Sequence, residues 1–182
     1  MTILTRFSTD GMRLAVTEDR ETITTYLHDR GIRFEAWKCD MEVEGDDSSE
    51  TVLKMYATEV QKLKEDSGFQ SADVIQLHPN HEMREELRGK FLDEHVHSDD
   101  EIRFFVDGCG LFYMHFEEEV ISVMCKRGDL IGVPAQTKHW FDMGPRPSFT
   151  CIRLFTSPDG WVADFTGSDV AQRFPRFEDH AS

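Results

Sequence analysis

The chain is short of positive charge. Its 20 Lys and Arg stand against 35 Asp and Glu, for a formal net charge of −15 over 182 residues. Nucleic-acid binding draws on clustered Lys and Arg set against phosphate, so this balance excludes such a partner, and an anionic membrane surface with it. Long apolar runs are missing too. Nothing approaches the roughly 20 apolar residues of a membrane span. Met1 to Val16 is interrupted by Arg6, Asp10 and Arg13, so no apolar signal-peptide core forms. No CxxC pair occurs among Cys39, Cys109, Cys125 and Cys151, which lie in or beside strand-like apolar runs. They read as reduced thiols of a cytoplasmic protein. Gly/Ser linkers, internal repeats and low-complexity tracts are also absent, which leaves one domain as the simplest organisation. What is present suffices for a core: 39% of residues are hydrophobic, and 14 are Phe.

The first half of the chain reads as mainly helical and the second as β. Helices are expected over Glu18 to Asp29, over Ser49 to Glu65, and over Glu82 to Phe91. In the second of these, Val52, Tyr56, Val60 and Leu63 share a face, Ser48 or Ser49 caps the start, and Gly68 stops it. Short strands are expected at Phe34 to Trp37 and Asp73 to Leu77. After Glu94 the period becomes alternating, with strands over Ile102 to Val106, Cys109 to Phe116, Val120 to Lys126, Asp129 to Val133, His139 to Phe141 and Phe149 to Phe155. Asp107-Gly108, Glu117-Glu118 and Gly144-Pro145 supply turns between them. Short antiparallel strands at this spacing predict a sandwich or small barrel.

The chemistry concentrates between Gly89 and Gly108. His95 and His97 are separated by one residue, and Glu101 follows four residues after His97. Strand side chains alternate faces, so His95, His97, Glu101, Arg103 and Phe105 share a parity and can point into one cavity. Imidazole nitrogen and carboxylate oxygen suit a borderline divalent metal such as Fe(II), Ni(II), Mn(II) or Zn(II), and the lack of thiolates disfavours a structural zinc site. Taken alone, the same string also fits solvated histidines in an acidic loop, flanked as it is by Asp93, Glu94, Asp99 and Asp100. A second stretch tips the balance. From Gly128 through Pro134 to His139 it joins a turn glycine, a short apolar strand, a proline and a histidine, enough to carry a fourth ligand across a barrel.

These two stretches resemble the paired motifs of cupins. The first fits throughout; the second has Gln136 where glycine is usual and Met143 where asparagine is frequent. The segment from Asp99 through Arg103 to Gly108, with Gly128 to Ile131, His139 to Phe141 and the region of Trp161, resembles more closely the acireductone dioxygenases of methionine salvage. That likeness covers most of residues 70 to 165. It implies an α+β chain: a cupin-type double-stranded β-helix, or jelly-roll barrel, with N-terminal helices packed against it. Residues 1–182 would form a single cupin domain, with about 1–92 helical, about 93–160 the metal-binding barrel core and 161–182 a C-terminal segment.

The resemblance also implies roles. His95, His97, Glu101 and His139 bind one Fe(II) or Ni(II) per monomer, and Arg103 favours formation of the substrate dianion. Glu94 is linked to metal incorporation and Asp100 to transmission of local conformational change, while Phe91, Phe141, Arg153 and Trp161 lie near the substrate. The substrate implied is 1,2-dihydroxy-3-keto-5-methylthiopentene, cleaved by dioxygen. With Fe(II) the family yields 4-methylthio-2-oxobutanoate and formate; with Ni(II) it yields 3-methylthiopropanoate, carbon monoxide and formate. A monomer is expected, with no nucleic-acid or membrane partner. Two alternatives stay open from the residues: another cupin activity, such as a sugar isomerase that would persist without dioxygen, and a non-catalytic small-molecule binder.

Overall fold

A computed structural model describes residues 1–180. In chain order the elements are β1 (Ile3–Ser8), β2 (Arg13–Thr17), α1 (Arg20–His28), β3 (Arg33–Ala36), α2 (Ser49–Met55), α3 (Ala57–Ser67), β4 (Ser71–Leu77) and α4 (Arg84–Leu92). There follow β5 (His95–Val96), β6 (Glu101–His115), β7 (Glu119–Lys126), β8 (Asp129–Val133), β9 (Lys138–Asp142), β10 (Phe149–Phe155), β11 (Asp164–Phe165), a 3-10 turn (Val170–Arg173) and α5 (Phe177–His180). None of these helices is long and apolar enough to cross a membrane.

Strand β6 builds the barrel. Its first part pairs with β8 and β10 in one layer, and its second part with β7 and β9 in the other. In a straight strand, Glu101 and Met114 would lie on the order of 40 Å apart. Yet His139, which pairs with Met114, brings its Nε2 within 3.8 Å of Glu101 Oε2. The strand must therefore fold back, and it does so where Asp107-Gly108 reads as a turn. Gly108 has φ 69°, and a Cβ there would lie 1.9 Å from the Ser148 carbonyl oxygen, so only glycine fits the bend. The β6 to β10 register also slips by one residue between Phe105 and Asp107. Such a bulge exchanges inward and outward positions. Glu101, Arg103 and Phe105 point inward before it, and Phe112 and Met114 after it.

Side chains of both layers meet between them in one apolar cluster that includes Phe105, Ile131 and Cys151 from one layer and Phe112, Val123 and Phe141 from the other. The outer face of the first layer, with Ile102, Phe104 and Leu154, is covered by Val52, Tyr56 and Leu63 of the α2–α3 region. The outer face of the second, with Leu111, Tyr113 and Trp140, is covered by Val170, Ala171 and Phe174 near the C-terminus. This is the jelly-roll arrangement expected, with both faces of β6 buried.

Two local expectations need correction. The first ninety residues are less helical than expected: besides the expected β3 and β4, which extend the sheet beside β8 and β10, an unexpected hairpin β1–β2 lengthens the β7 edge. Arg6, which interrupts the apolar run of β1, sits between β2 and β7 and is bound to Glu119 at 3.0 Å. The single helix expected from Ser49 to Glu65 breaks at Tyr56, whose φ of −106° and ψ of 25° leave the helical region. Its ring is locked edge-on to Phe104 and its hydroxyl donates to the Met41 carbonyl. Tertiary packing overrides helical propensity there. Within 161–182, residues 161–180 wrap the barrel, and the last two positions lie outside the described residues.

Candidate metal centre

Three elements bring the four candidate ligands together. The short β5 carries His95 opposite His139 of β9, His97 follows in the loop, and Glu101 opens β6. All four are buried, between 1% and 4% exposed. The ligating nitrogens of His95, His97 and His139 lie within 4.8 Å of one another. Glu101 Oε2 stands 3.9 Å from His97 Nε2 and 3.8 Å from His139 Nε2.

The backbone fixes how each imidazole faces. Nδ1 of His95 lies 2.8 Å from the Asp93 carbonyl, that of His97 3.0 Å from the Val162 carbonyl, and that of His139 2.7 Å from the Thr137 carbonyl. A carbonyl can only accept, so each Nδ1 carries the proton and each Nε2 presents a lone pair to the centre. Burial pushes His139 down to about 3 and lowers His95, so both rings stay neutral at physiological pH, as metal ligation requires.

Glu101 divides its two oxygens. Oε1 accepts from Arg103 Nε at 2.9 Å, whereas Oε2 has no partner among the described residues. Burial opposes its charge, but the Arg103 guanidinium outweighs burial and holds the carboxyl at about 2. His97 Nε2, His139 Nε2 and Glu101 Oε2 are buried polar atoms that find no hydrogen-bond partner among the described residues, and they converge on one point. Buried polar atoms in folded proteins nearly always have partners. Three imidazole nitrogens and a carboxylate oxygen make a donor set that could hold one divalent cation, and the residues present fit it.

Arg103 is 3% exposed and sits in an aromatic cage, its guanidinium carbon 4.9 Å from the Phe112 ring centre, 5.0 Å from Phe141 and 6.0 Å from Phe91. Gly110 makes room for that cage, since a Cβ there would come 2.3 Å from the Phe141 ring. A cavity of about 500 Å³ opens against His95, His97 and Arg103, walled by Ile75, Leu87 and Phe91 on one side and by Trp161, Val162 and Phe165 on the other.

The residues singled out from sequence fall into distinct places. Phe91, Arg153 and Trp161 line the cavity, the last at its rim and 54% exposed. Phe141 lies behind Arg103, fully buried, and shapes the cavity through the cage. Glu94 faces away from the ligand cup: its Oε2 lies 2.6 Å from His115 Nδ1, and its Oε1 accepts from Thr166. Asp100 accepts from the Ala135 N–H at 2.8 Å, tying the loop after His97 to the loop before His139. Gln136 in that second loop has φ 63°, the left-handed conformation that makes glycine usual there, and it donates from both its backbone and its side chain to the His97 carbonyl.

Sequence reasoning missed His115, the Val162 carbonyl, Asp73 and the apolar wall of Ile75 and Leu87. His115 has no ligand-spaced neighbour, and its partner Glu94 is 21 positions away. Carbonyls carry no sequence signal. The His78 and His81 pair does what a helix start ordinarily asks, with His81 Nδ1 accepting from the Met83 N–H. The four cysteines are free, and burial pushes the Cys151 thiol up to about 12, leaving it inert.

The chain is similar to known proteins in both sequence and fold. A sequence model of the ARD/ARD' family matches residues 2–163. The acireductone dioxygenase of Hahella chejuensis is 54% identical over 165 residues, 91% of this chain and 89% of the relative. That of Hydrogenobaculum sp. is 45% identical over the full length of both chains. Among solved structures, an acireductone dioxygenase from Bacillus anthracis with a cadmium ion in its active centre superposes with a TM-score of 0.77 at 25% identity, covering 91% of this chain and 98% of that one. With sequence, fold and donor set in accord, the chain belongs to the ARD/ARD' family and has its cupin fold.

Proposed function

We infer that this protein is a metal-dependent acireductone dioxygenase. The observation that carries the reading is the split of Glu101: one oxygen is fixed by a caged arginine, and the other is aimed with two unpartnered imidazole nitrogens at a single point. His95, His97, Glu101 and His139 would hold one Fe(II) or Ni(II). When bound, such an ion supplies Lewis-acid and redox chemistry toward an enediol and dioxygen.

The protein's own groups have separable tasks. Arg103 favours the ionised enediol, because a fixed cation in a dry, aromatic cage acts at low effective dielectric. Glu101, held near 2, is too weak a base to take the substrate proton at neutral pH and serves as a ligand. Ile75, Leu87 and Phe91 form an apolar wall for the methylthio tail, and Trp161 closes the rim. Arg153 offers a second cation to the substrate oxygens. Glu94 and Asp100 stand one residue outside the ligands, where they stabilise the loops that carry them, in keeping with roles in metal incorporation and in transmitting local change.

Affinity at a common donor set rises from Fe(II) to Ni(II), so the resident ion follows supply as well as geometry. With Fe(II) the products would be 4-methylthio-2-oxobutanoate and formate, and with Ni(II) 3-methylthiopropanoate, carbon monoxide and formate. The test is oxygen uptake and acireductone consumption by the Fe(II)-reconstituted chain, with carbon monoxide measured after Ni(II) reconstitution. Background rates with both metals would refute the reading.

A further inference from the structure

The register across β4, β10 and β6 sets Asp73, Arg153 and Arg103 in one row, on one face. Two guanidinium groups directly opposite each other on antiparallel strands repel. Each arginine is relieved by its own carboxylate. Arg103 commits Nε to Glu101. Arg153 commits Nε and Nη2 to Asp73, at 2.9 and 2.6 Å, in a two-pronged contact. Among the described residues nothing accepts from Arg153 Nη1 or from the two Nη groups of Arg103, and both side chains border the cavity beside His95 and His97.

We propose that Asp73 is a positioning residue: by gripping Arg153 from the sheet edge it aims the remaining guanidinium nitrogen into the cavity, completing with Arg103 a two-arginine seat for the anionic oxygens of the ligand. This rests on the functional reading above for the identity of the substrate, though not for the existence of the seat. Asp73 also keeps Arg153 away from Glu101, the next carboxylate within electrostatic reach. Released from Asp73, Arg153 turns toward Glu101 and leaves the ligand. An opposing effect exists, since removing Asp73 removes a negative charge near an anion. Its side chain is 49% exposed, so solvent and salt screen that charge, and the geometric effect wins.

The test uses the full chain loaded with Ni(II) or Fe(II). Asp73→Asn weakens calorimetric binding of 2-oxobutanoate to the Ni(II) form by about tenfold, the size of one lost charge-assisted contact. With Fe(II) it raises KM for acireductone by a similar factor while kcat stays within about twofold. Arg153→Gln does the same, the double variant is no worse than either single one, and Asp73→Glu restores most of the loss. A purely structural role for Asp73 would lower thermal stability without this non-additivity. Unchanged or tighter probe binding in Asp73→Asn, additive single effects, or a wild-type protein that fails to bind the probe would each overturn the proposal. If the probe binds in an Asp73-dependent way but acireductone is not consumed, the seat stands and the substrate assignment falls.

Discussion

Near the bend of β6 the inward positions are Phe105, Phe149, Cys125 and Cys151, all buried and none of them charged. At the free ends of the same strand and its neighbours the inward positions are Glu101, Arg103 and His139, joined by His95 and His97, just as buried but with three polar atoms lacking partners. The two ends share strands, register and solvent exclusion, and differ only in side-chain chemistry. An apolar end gains from burial by itself. Each unpaired polar atom at the other end costs about 1 to 3 kcal/mol. The fold is therefore held by the bend end and the covered outer faces, while the mouth opposes it.

The contrast is open to experiment, and the largest effect should come from the mouth. Glu101→Ala or His95→Ala should weaken metal affinity by more than about a hundredfold, since even residues behind metal ligands matter at roughly the 10- to 100-fold level. Near-stoichiometric metal after purification of either variant would contradict the ligand assignment. At the other end, Phe149→Ala should cost about 3 to 5 kcal/mol of stability, measured by urea unfolding, while the variant still takes up one metal per folded chain. Lost metal uptake in the folded variant would show that the ends are not separable. Arg103→Ala should retain the metal and lose about 10²- to 10³-fold in kcat, the scale of a removed preorganised charge contact. Unchanged kinetics would take Arg103 out of the chemistry.

Acid separates the two ends as well. His139 is held down to about 3 in the folded chain, so from its ordinary 6.5 down to about 3 the unfolded chain binds the extra proton and stability falls as pH falls. Glu101, held at about 2 against an ordinary 4.5, adds to the loss as pH drops below 4.5 toward 2. Chelator-treated protein should show a melting temperature that declines steadily below about pH 6.5, whereas one that stays level down to about pH 4.5 would mean the mouth does not govern acid sensitivity. The smallest effect is expected at Gln136→Gly. Relief of the left-handed backbone and loss of the side-chain bond to His97 oppose each other, leaving stability within about 1 kcal/mol by the same unfolding measurement.

Much of the site is legible in the residues alone, because metal ligation needs particular side chains at spacings a strand can present. The shared parity of His95, His97, Glu101 and Arg103, and the distant His139, belong to that class. Gln136 is a departure from the cupin pattern in sequence, and the structure gives its reason in a positive φ satisfied by two bonds to one carbonyl. Other features are hidden. The β1–β2 hairpin has no clean alternation, since Arg13, Leu14, Ala15 and Val16 are all exposed. The break at Tyr56 follows from a contact with Phe104, a residue far along the chain on β6.

By itself the sequence determined the chemistry on offer: an acidic exterior, a β-rich second half, four candidate ligand side chains and an arginine two residues beyond one of them. Those follow from residue identity and from the twofold alternation of strands, which act over a few positions. Only the tertiary structure decided that β6 folds back at Gly108 to bring Glu101 to His139, that three carbonyls choose the imidazole tautomers, that Phe112 and Phe141 cage Arg103, and that Asp73 grips Arg153. Each of these depends on which strands become neighbours. That choice is made by burial summed over the whole core, and no local stretch of sequence carries it.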